Sequence, residues 1–567
     1  MTCAPTHPWL KAYDPGVPPA LEYPEVPLDR FLSDAARTWP DRTATEFFGK
    51  RTTYAELNRQ ADRFANALRA LGVGPGDRVA LHLPNLPQFV IAFYGVLRAG
   101  GTVVPFNPLY TEREIARQLA DADARISVTL DLFLDKVMAA KAGSVGGVAI
   151  ATGIQDALPF PLNLLYPLKA RREGQWKPAR PGGGVHLLTT LLAGAPDRPV
   201  GAPLDLNRPA VLQYTGGTTG VPKGAILTHR NLVVNAFQVG AWMPSIRPGA
   251  ERVLAVIPFF HIYGLTVAMN LAVLKGATLY LLPRFAPLEV LKAIQRTRPT
   301  LFPGVPGMYN ALLNHPDVGR YDLGSIEACI SGAAALPVEV QRRFEEATGG
   351  KLVEGYGLTE ASPVTHCAPM SGVRKPGTIG TPFPDTVACI KDLETGTRVL
   401  GVDEAGELCI RGPQVMAGYW NHPEETALAL RDGWLHTGDV ATMDSDGYFR
   451  IVDRKKDLVI VNGMNVYPRE VEEILYAHPA VLEAAAIGIP DEKRGEVVKA
   501  VVVLKPGHTA TADEIIGHCQ RDLAHFKAPR VVEFAEALPK SLIGKVLRRE
   551  IRERGSGHPR EDAQPPA

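Results

Sequence analysis

The feature that most constrains this chain is an alternation. Stretches with helical periodicity are repeatedly followed by short apolar runs. In YAELNRQADRFANALRALG (Tyr54–Gly72), Leu57, Ala61, Phe64, Leu68 and Leu71 recur on one helix face, and the strand-like RVALHLP follows. QFVIAFYGVLRAG then precedes GTVVPFN, and EREIARQLADAD precedes ARISVTL. This is an α/β pattern with buried strands. The glycines of GVGPGD (Gly72–Asp77) come before a strand instead of after it, so they read as a turn and not as a dinucleotide fingerprint.

Later the texture changes. Residues 140–210 are rich in Gly and Pro and poor in periodicity, and are expected to form a long connection or insertion. From Asp385 to Phe449, short strands and turns (TVACIKDLETG, GELCIRG, DGYFRIVD) predict a small β unit. After DRKKD (Asp453–Asp457), PREVEEILYAHP and TADEIIGHCQRDL read as helices, and VLEAAAIGIP and VVKAVVVLK as strands. A domain boundary is placed there, giving 1–453 and 454–567. The polar, Pro-rich tail from about Gly555 is expected to be disordered.

Composition narrows the function classes. With 61 basic against 60 acidic residues, the chain is no general nucleic-acid binder. Its six cysteines form no C-x-x-C pair, so neither a zinc nor a disulfide framework is expected, and the thiols are read as reduced in a cytoplasmic protein. No apolar run reaches the roughly 18 residues of a membrane span. ALPFPLNLLYPLKARR (Ala157–Arg172) carries three prolines and ends basic. It is open between a surface loop and a peripheral contact at the inner face of a membrane.

The chemistry starts at QYTGGTTGVPKGAILTH (Gln213–His229). Glycines let backbone N–H groups approach phosphate oxygens, threonines add donors, and Lys223 adds a mobile positive charge. The spacing is not that of a Walker A loop, because Lys223 stands between Pro222 and Gly224. Such a loop suits a reaction in which pyrophosphate leaves.

Three further stretches accompany it in order: VEGYGLTEASP (Val353–Pro363), DGWLHTGDVATMDSDGYFRIVDRKKDLVIVNGMNVYPRE (Asp432–Glu470) and LPKSLIGKVLRRE (Leu538–Glu550). Together they resemble the adenylate-forming superfamily of acyl-CoA synthetases, luciferases and adenylation domains over nearly the whole chain. The segment around WLHTGD to DRKKD is most similar to long-chain fatty acid–CoA ligases. The resemblance implies a large N-terminal domain of α/β sub-domains with a small β-barrel-like unit, and a small mobile C-terminal α+β domain. It implies ATP, Mg²⁺ and CoA as cofactor and co-substrates, a fatty acid as partner, and a homodimer as one assembly state.

Residue by residue, the resemblance implies these roles. Thr215, Gly216, Gly217, Thr218, Thr219, Gly220 and Lys223 hold the β- and γ-phosphates. Glu360, with Thr215 nearby, serves Mg²⁺; a carboxylate plus phosphate oxygens is its usual shell. Thr359 lies beside it in the same motif. Gly332, Ala333, Glu354, Gly355 and Tyr356 wall the adenine, with Tyr356 stacked on the base. Asp439 accepts the ribose hydroxyls and Arg454 is the second ribose contact. Lys545 bridges the attacking carboxylate and the α-phosphate, lowering the repulsion between two anions. For the second half-reaction the C-terminal domain swings about Lys456, and Gly463 lets backbone line the pantetheine path without a side chain.

His261, in the apolar PFFHIYGLTVAMNLAVLKGA, is read either beside the acyl carboxylate or as a packed histidine. Where some long-chain enzymes carry a gating tryptophan, this chain has Leu265. The rival readings are a medium-chain or aryl acid–CoA ligase, a fatty acyl-AMP ligase loading a carrier protein, and a non-enzymatic relative that binds nucleotide and lipid.

Overall fold

The computed structural model describes residues 7–141, 147–201, 205–215, 222–462, 464–491, 494–540 and 546–555. The chain forms two compact units. One comprises Pro8–Val387 with Ile410–Leu435; the other gathers Ala388–Cys409 and the chain from His436 onward.

The larger unit is built on a seven-stranded sheet. In chain order its strands are β1 (Arg78–His82), β2 (Thr102–Pro105), β3 (Ile126–Leu130), β4 (Val148–Thr152), β5 (Val185–Leu187), β6 (Pro209–Thr215) and β7 (Lys223–Thr228). Spatially they run β5-β4-β3-β1-β2-β6-β7, all parallel except the β6–β7 hairpin. The expected helix–strand alternation is what produces this. Helix α1 (Tyr54–Ala70) begins with a Thr53/Glu56 capping box and buries Leu57, Ala61, Phe64 and Leu68, the predicted face. Helix α2 (Pro87–Ala99) packs so closely on α1 that a Cβ at Gly95 would meet Phe64 at 2.7 Å. GVGPGD is a turn, closed by the Gly74 N–H donating to Asp77 Oδ2 at 2.8 Å.

The connection expected over 140–210 is corrected. It supplies two parallel strands, β4 and β5, and two helices, α3 (Leu162–Arg172) and α4 (Leu188–Gly194). These strands have five and three residues, too few to register as a period beside so many glycines and prolines. Ala157–Arg172 is correspondingly not a loop. The Pro159 and Pro161 carbonyls accept from Asn163 and Leu164 to start α3, and Pro167 lies within it.

Two four-stranded sheets complete this unit. One orders Arg252–Ala255, Thr278–Leu281, Thr43–Phe47 and Lys50–Thr53; the other Ala328–Ser331, Lys351–Gly357, Val364–Cys367 and Thr381–Pro382. Leu301 bridges them by pairing with both Val253 and Ala328.

In the smaller unit the predicted β unit runs from Val387–Lys391 through Gly406–Arg411 to Trp434–Met443, with Phe449–Arg454 paired to the last. A second sheet orders Met464–Val466, Val459–Val461, Gly495–Leu504 and Val481–Asp491, with Val531–Phe534 added to Gly495–Leu504. Helices Pro468–Ala477 and Ala512–Asp522 pack on it through Val471, Leu475, Ile515 and Cys519, giving the expected α+β block. The tail beyond Gly555 lies outside the described residues. The five described cysteines, Cys329, Cys367, Cys389, Cys409 and Cys519, are buried. No described helix is long and apolar enough to cross a membrane.

Candidate active site

The β6–β7 hairpin pairs Thr215 with Lys223, so the ladder fixes both ends of the Gly/Thr loop beside each other. Gly216, Gly217, Thr218, Thr219 and Gly220 themselves lie outside the described residues. Residues 417–420 run alongside β7: the Ile226 N–H donates to the Gly418 carbonyl at 2.8 Å and the Trp420 N–H to the Gly224 carbonyl at 2.8 Å. This places Tyr419 next to Lys223. The Lys223 Nζ lies 5.8 Å from the centre of the Tyr419 ring and 3.3 Å from Glu425 Oε1. Glu425 opens the short helix Pro423–Ala429, where a backbone N–H first, and Lys223 second, hold its carboxyl below the usual range.

The same Tyr419 reaches the predicted metal carboxylate. Its hydroxyl donates to Glu360 Oε1 at 2.7 Å. Burial first and the neighbouring Glu360 second push that hydroxyl far above an ordinary phenol, so it remains a donor. The Glu360 carbonyl accepts from the Met416 N–H at 2.8 Å, which ties the Thr359–Ala361 turn to the same segment. Lys223, Tyr419 and Glu360 thus form one chain of contacts. Among the described residues no group of three His, Cys, Asp or Glu forms a metal cage. A single half-buried carboxylate is the donor set for a Mg²⁺ that keeps water and phosphate oxygens, so Glu360 fits the predicted ion.

The predicted adenine residues meet at the carboxyl ends of two parallel strands, where open α/β sheets bind ligands. Ser331 pairs with Glu354, so Gly332 and Ala333 leave one strand beside Gly355 and Tyr356 on the next. The Glu354 side chain accepts from the Leu336 N–H at 3.0 Å, fixing the loop after Ala333. Ala333 has φ 66°, a left-handed turn that redirects the chain. A Cβ at Gly332 would stand 3.3 Å from the Tyr263 ring. Tyr356 packs edge-on to His366 at 5.9 Å between centroids.

His261 lies on a turn held to this strand end. The Tyr263 hydroxyl donates to the Ile330 carbonyl at 2.6 Å, and His261 Nδ1 accepts from the Tyr263 N–H at 3.2 Å. Gln213 of β6 donates to the Phe260 carbonyl at 2.9 Å, linking that turn to the β6–β7 hairpin. Asn85 staples the approach, donating to the Ala255 and Ile257 carbonyls at 3.1 and 2.9 Å and accepting from Phe259. Leu265 is fully buried in a π-helical stretch, Gly264–Asn270.

In the smaller unit, Asp439 pairs with Arg454 across the antiparallel ladder, and Arg454 Nε lies 3.4 Å from Asp439 Oδ1. The TGD turn is held from below by Glu407. That carboxylate accepts from Gly438 N–H at 3.1 Å and lies 3.2 Å from His436 Nδ1 and 3.4 Å from Lys455 Nζ. Burial alone would raise the Glu407 pKa, but the His436 bond and Lys455 outweigh it and leave it lowered. Lys456 is exposed, next to buried Asp457. Gly463 and Lys545 lie outside the described residues. Three positions after Lys545, Arg548 grips Glu472 (Nη2 to Oε2, 2.6 Å), Asp453 (3.0 Å) and Asp457 (3.5 Å). Arg548 is therefore anchored on Asp453 and Asp457 of the segment DRKKD.

Sequence reasoning missed Tyr419, Glu425, Glu407 and Arg548. Each had a faint signal. GYWNHPEET carries a proline-started helix after two aromatics, and Arg548 stands inside a quoted motif. Their partners are too far away in sequence for spacing to reveal them.

The same organisation is found in known proteins. Residues 32–420 match the AMP-binding enzyme family, and residues 470–545 match the AMP-binding enzyme C-terminal domain. The chain is 49% identical over 548 residues to a long-chain-fatty-acid–CoA ligase of Bacillus subtilis (strain 168), covering 96% of this chain and 98% of that protein. It is 38% identical over 522 residues to a feruloyl-CoA synthase of an Amycolatopsis species, covering 92% and 97%. The crystal structure of ATP-bound MatB from Rhodopseudomonas palustris superposes with a TM-score of 0.82 at 32% identity, over 94% of this chain and 99% of that one. With the β6–β7 hairpin and the paired strands ending at Ser331 and Gly357 inside 32–420, and a C-terminal block matched over 470–545, this chain belongs to the AMP-binding enzyme family.

Proposed function

We infer that this chain is a long-chain fatty acid–CoA ligase. It activates the acid with ATP to an acyl-adenylate, releasing pyrophosphate, and then transfers the acyl group to the CoA thiol, releasing AMP. The observation that carries this reading is the 49% identity to the Bacillus ligase, sustained over 96% of the chain.

The roles of individual residues follow from chemistry. Lys223 would exchange Glu425 for phosphate oxygens, since both offer carboxylate-like acceptors to one ammonium. Glu360 would hold Mg²⁺, which when bound neutralises phosphate charge. Gly332, Ala333, Gly355 and Tyr356 would receive the adenine, and Asp439 with Arg454 the ribose hydroxyls. Lys545 would steady the charge that develops as the carboxylate meets the α-phosphate. Lys456, inside the DRKKD segment, would be the pivot that removes Lys545 and brings Gly463 to the thiol path.

Two half-reactions separate these roles. Lys545→Ala is expected to lose about 10²–10³ in acid-dependent pyrophosphate release, while still converting supplied acyl-adenylate and CoA to thioester. Lys456→Pro is expected to do the reverse. Equal loss of both steps in either variant would refute the division.

The match to a feruloyl-CoA synthase keeps one second reading open, an aryl acid as substrate. Thioester formation with palmitate, octanoate, benzoate and ferulate decides it. The long-chain reading requires palmitate to have the highest kcat/KM.

A further inference from the structure

Helix α3 (Leu162–Arg172) presents a surface that the reaction does not use. Its inner face is formed by Asn163, Tyr166, Pro167 and Ala170, with Tyr166 packed on the main core. Its outer face is apolar: Leu164, Leu165 and Leu168 are 63%, 52% and 55% exposed, and Phe160 just before the helix is 80% exposed. Leu162 is exposed as well. Single exposed leucines are ordinary, but a run of them on one element marks a contact surface. The last turn is basic, with Lys169, Arg171 and Arg172. At 3.6 residues per turn, Arg172 shares a face with Leu164, Leu165 and Leu168. Lys169 approaches Glu173 at 3.8 Å, and the Arg171 guanidinium lies 5.4 Å from the Trp176 ring.

Eleven residues are too few to span a bilayer. An exposed apolar face with a basic end matches the boundary between acyl chains and anionic headgroups. We propose that α3 docks the protein on an anionic phospholipid surface. Phe160 and the leucines enter the acyl boundary, and Lys169, Arg171 and Arg172 meet the lipid phosphates. This goes beyond the catalytic reading and does not depend on it.

The test is flotation of the full chain with vesicles of phosphatidylcholine alone and of phosphatidylcholine mixed with phosphatidylglycerol. Wild type is expected to float with the mixed vesicles, with binding that weakens as salt is added. A Leu164→Ser/Leu165→Ser/Leu168→Ser variant, and a Lys169→Gln/Arg171→Gln/Arg172→Gln variant, are each expected to bind at least about tenfold more weakly. Both should turn over octanoate, a water-soluble acid, at the wild-type rate. If the leucine variant loses that turnover, the basic variant alone decides. The proposal fails if wild type does not float, or if either variant that keeps its turnover floats as wild type does. It fails equally if wild type sediments as a dimer that the leucine substitutions dissociate, with no vesicle binding, because a second copy then covers the face.

Discussion

Lys223 and Arg548 are both cations set against carboxylates, yet their surroundings differ. Lys223 reaches Glu425 through one contact of 3.3 Å, and the Glu425 side chain is a third exposed. Arg548 engages Glu472, Asp453 and Asp457 at once, and all three carboxylate side chains are at most 15% exposed. A single contact at the edge of solvent contributes little and exchanges readily. A buried, forked set is costly to break, because removing one member strands the others. The contrast sets a cation held by one exchangeable contact, as the proposed phosphate role of Lys223 requires, against one clamped by three carboxylates.

The largest effect should come from breaking the second constellation. Arg548→Ala leaves Glu472 uncompensated, where burial already pushes its carboxyl upward and Arg548 pulls it back. We expect about 3–5 kcal/mol of destabilisation, read as an early transition in urea unfolding followed by far-UV circular dichroism. Arg548→Lys keeps the charge but loses the fork and should fall between Ala and wild type. If Arg548→Ala unfolds as wild type does, the two cations are equivalent and the contrast is empty.

The next effect is catalytic. Glu360→Gln keeps an acceptor for the Tyr419 hydroxyl but removes the negative charge, so stability should hold while chemistry suffers. Adenylation should fall by about 10²–10³, and the Mg²⁺ concentration giving half-maximal rate should rise. A drop in melting temperature matching the loss of rate would assign Glu360 to the fold instead.

Legibility in the sequence followed the range of the interactions. Helix α1 was readable because its capping box and its leucines lie within one local period. Gly332 and Tyr356 were readable as a pair only through the family resemblance, since 24 residues separate them and a parallel ladder unites them. β4 and β5 were unreadable because a strand of three to five residues carries too few positions to show alternation. Tyr419 was hidden most deeply. It meets Lys223 and Glu360 only because residues 417–420 run along β7, a pairing that no local spacing encodes.

That residue supplies the smallest and most discriminating effect. Tyr419 does two separable things: its hydroxyl donates to Glu360 at 2.7 Å, and its ring lies 5.8 Å from the Lys223 ammonium. Tyr419→Phe removes the first and keeps the second. A hydrogen bond to a charged group contributes about 1.5–3 kcal/mol, but much of that should be recovered if Mg²⁺ binds the same carboxylate. The rate is therefore expected to fall less than about tenfold at limiting Mg²⁺ and to return towards wild type at saturating Mg²⁺, with KM for ATP unchanged. Tyr419→Ala also removes the ring, a contact of about 0.5–1 kcal/mol at an exposed site and more when desolvated. Its KM for ATP should rise severalfold whatever the Mg²⁺ concentration. Identical behaviour of the two variants would mean that Glu425 alone positions Lys223, and that the chain from ammonium to metal carboxylate carries no coupling.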